Sequence, residues 1–374
     1  MAISLHTKLC DMLDIEYPVM AFNHCRDVVA AVGNAGGCGV LGALALPPEQ
    51  IAIEANWIKE HSDKPFGIDL VFPSAAPEMI THEQLMAMIP QGYKDFMDKF
   101  KAPLGLPEQI WGGAGMDVFL ELGIGGSYES QLKQLDAALE TKPAIIAAAL
   151  GFNREIVDRC HSAGAKCATL VGNVKNAKRA AEAGVDIIVA QGTEAGGHTG
   201  RIGTLALVPQ VVDAVSPTPV LAAGGIADGR GLVAALALGA VGVWTGTIWL
   251  TAHESPLVDF LKDRVIEATD EDAVISKIYT GKTARVLNCK YIERWQQPDA
   301  PATLPMPLQN LYSPMPLFLS TEDSYSASLF DKPGLQEYAT SAAGNAAGLI
   351  KQRKSVRKIM EDMMTEAVEI LGAE

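Results

Sequence analysis

The run Gln191-Gly192-Thr193-Glu194-Ala195-Gly196-Gly197-His198-Thr199-Gly200 gathers the residue types that a chemical site needs into a short space. Glycine lets backbone come close to a ligand, because no Cβ stands in the way and positive φ costs little. Histidine titrates near neutral pH, so His198 is a candidate general base, and equally a candidate structural or capping side chain. Upstream, the apolar and partly β-branched stretch Ile187-Ile188-Val189-Ala190 reads as a buried strand that delivers this polar loop. Two later strand ends share the composition, Ala223-Gly224-Gly225 and Trp244-Thr245-Gly246-Thr247. Backbone N–H groups on such loops can hold a phosphate, or the glycines can simply make tight turns. His24 and His253 follow strands in the same way and are weaker candidates, whereas His6, His61, His82 and His161 read as helix or surface residues.

Loops of this kind must be positioned by strands, and the chain supplies eight in alternation with helices. Short apolar segments at 18–21, 39–43, 66–72, 144–150, 167–171, 186–190, 219–223 and 241–245 read as strands. Helical spacing lies between them at 28–32, from Pro47-Pro48-Glu49 to about 61, and at 128–141, 154–163, 174–183, 205–215 and 229–238. Eight such units over roughly 250 residues predict a (β/α)8 barrel, whose strand C-termini carry the site. A doubly wound sheet also alternates, and Gly229-Arg230-Gly231-Leu232-Val233-Ala234 matches the dinucleotide-binding spacing. Its glycines come several residues after the strand, however, and no acidic residue follows at the distance that ribose recognition needs. The barrel is expected over residues 1–255, interrupted at about 73–127 by a long insertion with some helix of its own. That insertion contains Trp111-Gly112-Gly113-Ala114-Gly115 and Gly123-Ile124-Gly125-Gly126, and a connection of such length is more often functional than idle. Residues 256–374 form a C-terminal extension: a charged helical stretch at 256–268, a proline-rich run at 298–316, and a last helix from about Ala346. The prolines argue against a second sheet, so loops and helices packed partly over the barrel mouth are expected.

The chain has 374 residues, 48% apolar and 20% charged, the balance of a globular protein with a large core. A net charge of −14 argues against a nucleic-acid groove or an anionic membrane surface, so any anionic ligand must be bound locally. Cys10, Cys25, Cys38, Cys160, Cys167 and Cys289 form no CxxC pair and no zinc-like cluster, and read as reduced core thiols, with no metal expected. No secretory leader is legible and no run approaches the ~18 apolar residues of a membrane span, which predicts a cytoplasmic protein.

The Gln191–Gly200 run, together with Pro219-Val220-Leu221-Ala222-Ala223-Gly224-Gly225-Ile226-Ala227-Asp228-Gly229 and Gly246-Thr247, resembles the nitronate monooxygenase family, once called 2-nitropropane dioxygenases. Tyr17-Pro18-Val19-Met20, Asn34-Ala35-Gly36-Gly37, Lys64-Pro65-Phe66-Gly67, Thr283-Ala284-Arg285-Val286 and Ala343-Gly344-Asn345-Ala346-Ala347-Gly348 share the likeness. The resemblance implies an FMN-binding (β/α)8 barrel that oxidises nitronates with O2. It places Gln191 at the flavin ring or ribityl chain, gives Gly196 and Gly225 as backbone donors to the cofactor, and puts Trp244, Thr245, Gly246 and Thr247 at the phosphate. His198 becomes the base or hydrogen-bond partner of the substrate, and Ala21, Phe22, Asn23, Asp69, Gly197 and Gly224 complete the implied cofactor site. Three departures stand out: Asp69 replaces the usual asparagine, Trp244-Thr245 replaces a glutamine and an aliphatic residue, and the Ala21-Phe22-Asn23-His24-Cys25 loop lacks the usual methionine. Asp69 would place a carboxylate near the flavin and disfavour an anionic reduced form. Rival expectations on the same scaffold are an enoyl-thioester reductase and a quinone reductase, both using NAD(P)H; from another class come a non-catalytic flavin binder and a phosphate-binding isomerase. A homodimer is left open.

Overall fold

A computed structural model describes residues 3–44, 46–72, 82–106, 128–313, 330–332 and 334–372. β1 (Val19–Asn23), β2 (Cys38–Gly42), β3 (Phe66–Val71), β4 (Ile145–Ala149), β5 (Lys166–Val171), β6 (Ile187–Gln191), β8 (Val220–Ala223) and β9 (Gly242–Thr245) pair in parallel, and β9 returns to β1 to close a barrel. Each strand is nearly all buried because both faces are covered, which is why the sequence shows short apolar runs and not alternation. Outward side chains such as Ala21, Leu41, Ile68, Ala148, Ala190 and Val243 pack under the helices. Inward ones such as Met20, Val40, Ala147, Val189, Leu221 and Trp244 fill the interior. This alternation fixes which residues reach the mouth.

Local chemistry sets the helix ends. Asn153, Asn173 and Asp228 accept backbone N–H bonds at the starts of helices Arg154–Ser162, Val174–Glu182 and Gly229–Ala237. A first short helix, α1 (Lys8–Leu13), puts Leu9, Cys10 and Leu13 against the inward residues and plugs the far end of the barrel. Thr7 Oγ1 ties it to Val241 O at 2.5 Å.

A second apolar cluster lies at the C-terminal ends of β2, β3 and β4. Helix α5 (Gln91–Lys101) of the insertion contributes Tyr93, Phe96, Met97 and Phe100, and the extension contributes Tyr279, Tyr291, Leu308 and Leu311; Val71, Leu44, Ala149 and Leu150 join them from the barrel. Insertion and extension therefore build one roof over this side of the mouth. The glycine-rich stretches 111–115 and 123–126 lie outside the described residues.

Two expectations for the extension are corrected. A second sheet does form, in the order β10 (Ala273–Ser276), β11 (Ala284–Leu287), β7 (Gly197–His198). The prolines lie downstream of the β10–β11 hairpin and so do not interrupt it. The loop after β6 offers that hairpin an edge, with Ala284 opposite His198 and Arg285 opposite Gly197. The last helix is Val356–Leu371, later than 346, because Ser355 is the residue whose side chain accepts the Lys358 N–H; residues Asn345–Leu349 make a 3-10 turn. Among the described residues no helix is long and apolar enough to cross a membrane.

Candidate active site

Strand parity divides the sequence-derived residues into two sets. Phe22, Asp69, Gln191 and Trp244 face the barrel axis at the C-terminal rim, being in register with the inward-facing residues of their strands. Phe22 and Trp244 stack at 6.2 Å between centroids and 24°, and His24 meets Phe22 edge-on at 5.0 Å. Ala21, Asn23 and Thr245 are on the opposite parity. Ala21 packs under the helices, Asn23 Oδ1 accepts the Cys25 N–H at 2.9 Å, and Thr245 Oγ1 donates to Met20 O and accepts from Trp249 Nε1 at 3.0 Å. Only their main chain is placed to meet a ligand.

The loop after β6 is folded by close backbone contacts. Glu194 bends back so that its carboxylate accepts from Thr204 N at 2.9 and 3.1 Å and from Thr204 Oγ1 at 2.9 Å. Gly192 sits against that threonine, where a Cβ would lie 2.0 Å from Oγ1. On the other side the loop abuts residues 342–344: a Cβ on Gly196 would be 2.4 Å from Ala342 O, and one on Gly344 would be 2.3 Å from Glu194 O. Thr193 O accepts from Arg285 Nε at 2.8 Å, Glu194 O from Asn345 N at 2.9 Å, and Thr247 Oγ1 from Gly344 N at 3.0 Å. The extension thus braces the loops after β6 and β9.

His198, on β7, has its Nε2 2.7 Å from Thr280 Oγ1, a residue of the β10–β11 turn. The Lys282 N–H donates to the same hydroxyl at 3.3 Å. Burial, and secondarily the Lys282 ammonium, lower the His198 pKa to about 4, so the imidazole is neutral at physiological pH. Neutral imidazole can accept or donate a hydrogen bond, but it is a weak base for pulling a proton from carbon.

Asp69 is 6% exposed, flanked in register by the small residues Gly42 and Ala147, and its carboxyl makes no hydrogen bond or ion pair to any described residue. Burial raises its pKa well above the usual carboxylate value, toward the neutral acid. His24 Nδ1 lies 2.9 Å from Gly42 O, and burial lowers its pKa too, while part of its surface stays open. His253 instead is exposed, with its N–H bonded to Lys354 O.

The remaining glycines border potential donors. Gly224 and Gly225 have φ of +104° and +77°, and a Cβ on Gly246 would find nothing nearer than Phe22 O at 4.0 Å. Among the described residues, the backbone N–H groups of Gly225, Ile226, Thr247 and Ile248 donate to no acceptor. Thr247 opens the short 3-10 helix Thr247–Trp249, whose first N–H groups have no internal partner. A short helix and two glycine loops after the last two barrel strands suit a phosphate-sized anion. The Gln191 amide likewise makes no hydrogen bond to a described residue.

The profile of one family, described as nitronate monooxygenase, matches residues 6–366 of this chain. The chain belongs to the nitronate monooxygenase family. A Mycobacterium tuberculosis protein, Rv1533, named a monooxygenase, is 42% identical over 98% of both chains. A Staphylococcus aureus protein named a nitronate monooxygenase is 33% identical, covering 79% of this chain and 83% of its own. Among solved structures, nitroalkane oxidase from Streptomyces ansochromogenes superposes with a TM-score of 0.77 at 25% identity, covering 98% and 99% of the two chains. FabK from Thermotoga maritima superposes at 0.71 with 24% identity, covering 99% and 98%, a likeness of fold. As a member of the nitronate monooxygenase family, the protein is an oxidoreductase that acts on a small molecule. The contact between Thr280 and His198 was not legible in the sequence, because only the long-range pairing of β11 with β7 brings the two together.

Proposed function

We propose that the protein is an FMN-dependent nitronate monooxygenase that oxidises alkyl nitronates with O2. The observation that carries the reading is the neutral His198 at the C-terminal mouth of the barrel, opposite loops whose unpaired N–H groups suit a phosphate. The residues present fit FMN. Gly225, Ile226, Thr247 and Ile248 would hold its phosphate through backbone N–H groups, Gln191 would hydrogen-bond the ring or ribityl chain, and Phe22 and Trp244 supply apolar surface beside it. Gly196 takes a bracing role in this account, since its Cα faces Ala342 O. When bound, FMN supplies the electron transfer between nitronate and oxygen.

The chain's own part is to bind, orient and exclude water. His198, neutral and held by Thr280, offers hydrogen bonding to the nitro oxygens of a preformed nitronate; with a pKa near 4 it is poorly suited to take the α-proton of a neutral nitroalkane. The roof of Phe96, Phe100 and Tyr291 covers one side of the mouth with apolar surface. Localisation in the cytoplasm and use of O2 as co-substrate belong to the same reading.

The alternative, reduction of an enoyl thioester or a quinone by NAD(P)H, is favoured by the Glu194-Ala195-Gly196-Gly197-His198 run, which enoyl reductases of this fold share. Absorbance spectra of the flavin-loaded protein under anaerobic conditions separate the two. Bleaching by a nitronate but not by NADH or NADPH is expected; rapid bleaching by a reduced nicotinamide with no response to nitronate would overturn the proposal.

A further inference from the structure

Lys282 lies two residues from the Thr280 hydroxyl that holds His198, and among the described residues no carboxylate pairs with it. The β10–β11 turn brings Thr280, Gly281 and Lys282 up to β7, and the turn is closed by the Gly281 N–H to Lys277 O at 2.8 Å. Gly281, at φ +76°, passes against Leu304 O and Met306 N, where a Cβ would lie 2.4 and 2.6 Å away, so the turn is wedged in place. The result is a hydroxyl held 2.7 Å from the His198 ring, with a lysine two residues further on whose own N–H bonds that hydroxyl. The nearby carboxylate is already committed: Glu194 accepts from Thr204. Arg285, on β11, is committed as well, since it donates to Thr193 O and Ala273 O. Lys282, in contrast, makes no ion pair or side-chain hydrogen bond to any described residue, although the chain carries a net charge of −14. Lys282 is exposed, and its ammonium lies close enough to help lower the His198 pKa; in so acidic a protein, an unpaired ammonium next to the His198–Thr280 pair is a local attraction for an anion.

We infer that Lys282, with Thr280 and His198, forms an oxyanion subsite that selects substrates presenting a planar, negatively charged N–O or C–O group. This deepens the nitronate reading and rests on it for the identity of the substrate. The subsite makes the extension part of the specificity machinery: it attracts a preformed nitronate and gives neutral nitroalkanes, quinones and enoyl carbonyls no electrostatic advantage.

Nitrate, planar and singly charged, is the probe. Calorimetry of sodium nitrate binding to the flavin-loaded protein, with nitronate kinetics alongside, tests the subsite in wild type, Lys282→Met and Lys282→Arg. Lys282→Met should weaken nitrate binding and raise the nitronate KM by about tenfold each, with a much smaller change in kcat, and Lys282→Arg should restore most of both. Wild-type protein that binds no nitrate, or a Lys282→Met variant that binds it as well as wild type, would overturn the subsite. A protein inert to nitronates whose nitrate binding still depends on Lys282 would retain the subsite and defeat the functional reading instead.

Discussion

His198 and Asp69 are both held toward their neutral forms by burial, one as a base and one as an acid, and the consequences for stability have opposite signs. The folded state lowers the His198 pKa from 6.5 to about 4, so between these values the unfolded chain binds more protons and stability falls as pH falls. Asp69, raised well above 3.8, holds its proton longer in the folded state, so stability falls as pH rises through its titration. Melting curves between pH 4 and 8 should therefore show His198→Asn losing less stability than wild type on acidification, by on the order of 2 kcal/mol near pH 4. Asp69→Asn should gain stability at neutral pH. Identical pH profiles for wild type and His198→Asn would mean that the imidazole is not buried as described. The chemistry of Gln191, His198 and the glycine pairs was legible because residue type and strand-end position suffice to nominate them. Asp69 was legible as a departure, but its burial between Gly42 and Ala147, which raises its pKa, is visible only in the strand register.

The elements that matter most are the loop after β6 and the 342–344 segment, pressed together without side chains between them. Gly196 and Gly344 permit this contact, and each would bring a Cβ to under 2.5 Å from a backbone oxygen. Gly196→Ala or Gly344→Ala should therefore force the segments apart, costing about 1–3 kcal/mol in a thermal melt and weakening flavin retention, because Gly344 also holds Thr247 through its N–H. Gly197→Ala serves as a control of another kind, since its Cβ would meet open space and only the φ of +73° is strained. Equal melting temperatures for Gly196→Ala and wild type would show that the contact is not tight. The strands and helices of the barrel could be read from short apolar runs and turn residues, because each β-α unit is local. The pairing of β7 with the β10–β11 hairpin could not, since it joins remote segments: His198 and Thr280, in contact beside it, are 82 residues apart.

At the level of the whole molecule, the barrel supplies a rigid frame and the insertion and extension supply its roof, with Phe100, Tyr291 and Tyr338 in edge and tilted ring contacts. Composition argued against a basic groove and pointed to a large core, and the resemblance anticipated the family. The sequence led to an extension packed partly over the mouth, but not to the contacts by which Thr280 and Gly344 tie it to the loops after β6 and β9. The account rests on His198 serving the substrate within that assembly. Oxygen consumption by the flavin-loaded protein, driven by an alkyl nitronate, tests this most directly when wild type is compared with His198→Ala. The expected result is nitronate-dependent uptake in wild type and a loss of about a hundredfold or more in kcat/KM in the variant, with flavin still bound. Uptake that survives unchanged in His198→Ala would contradict the account.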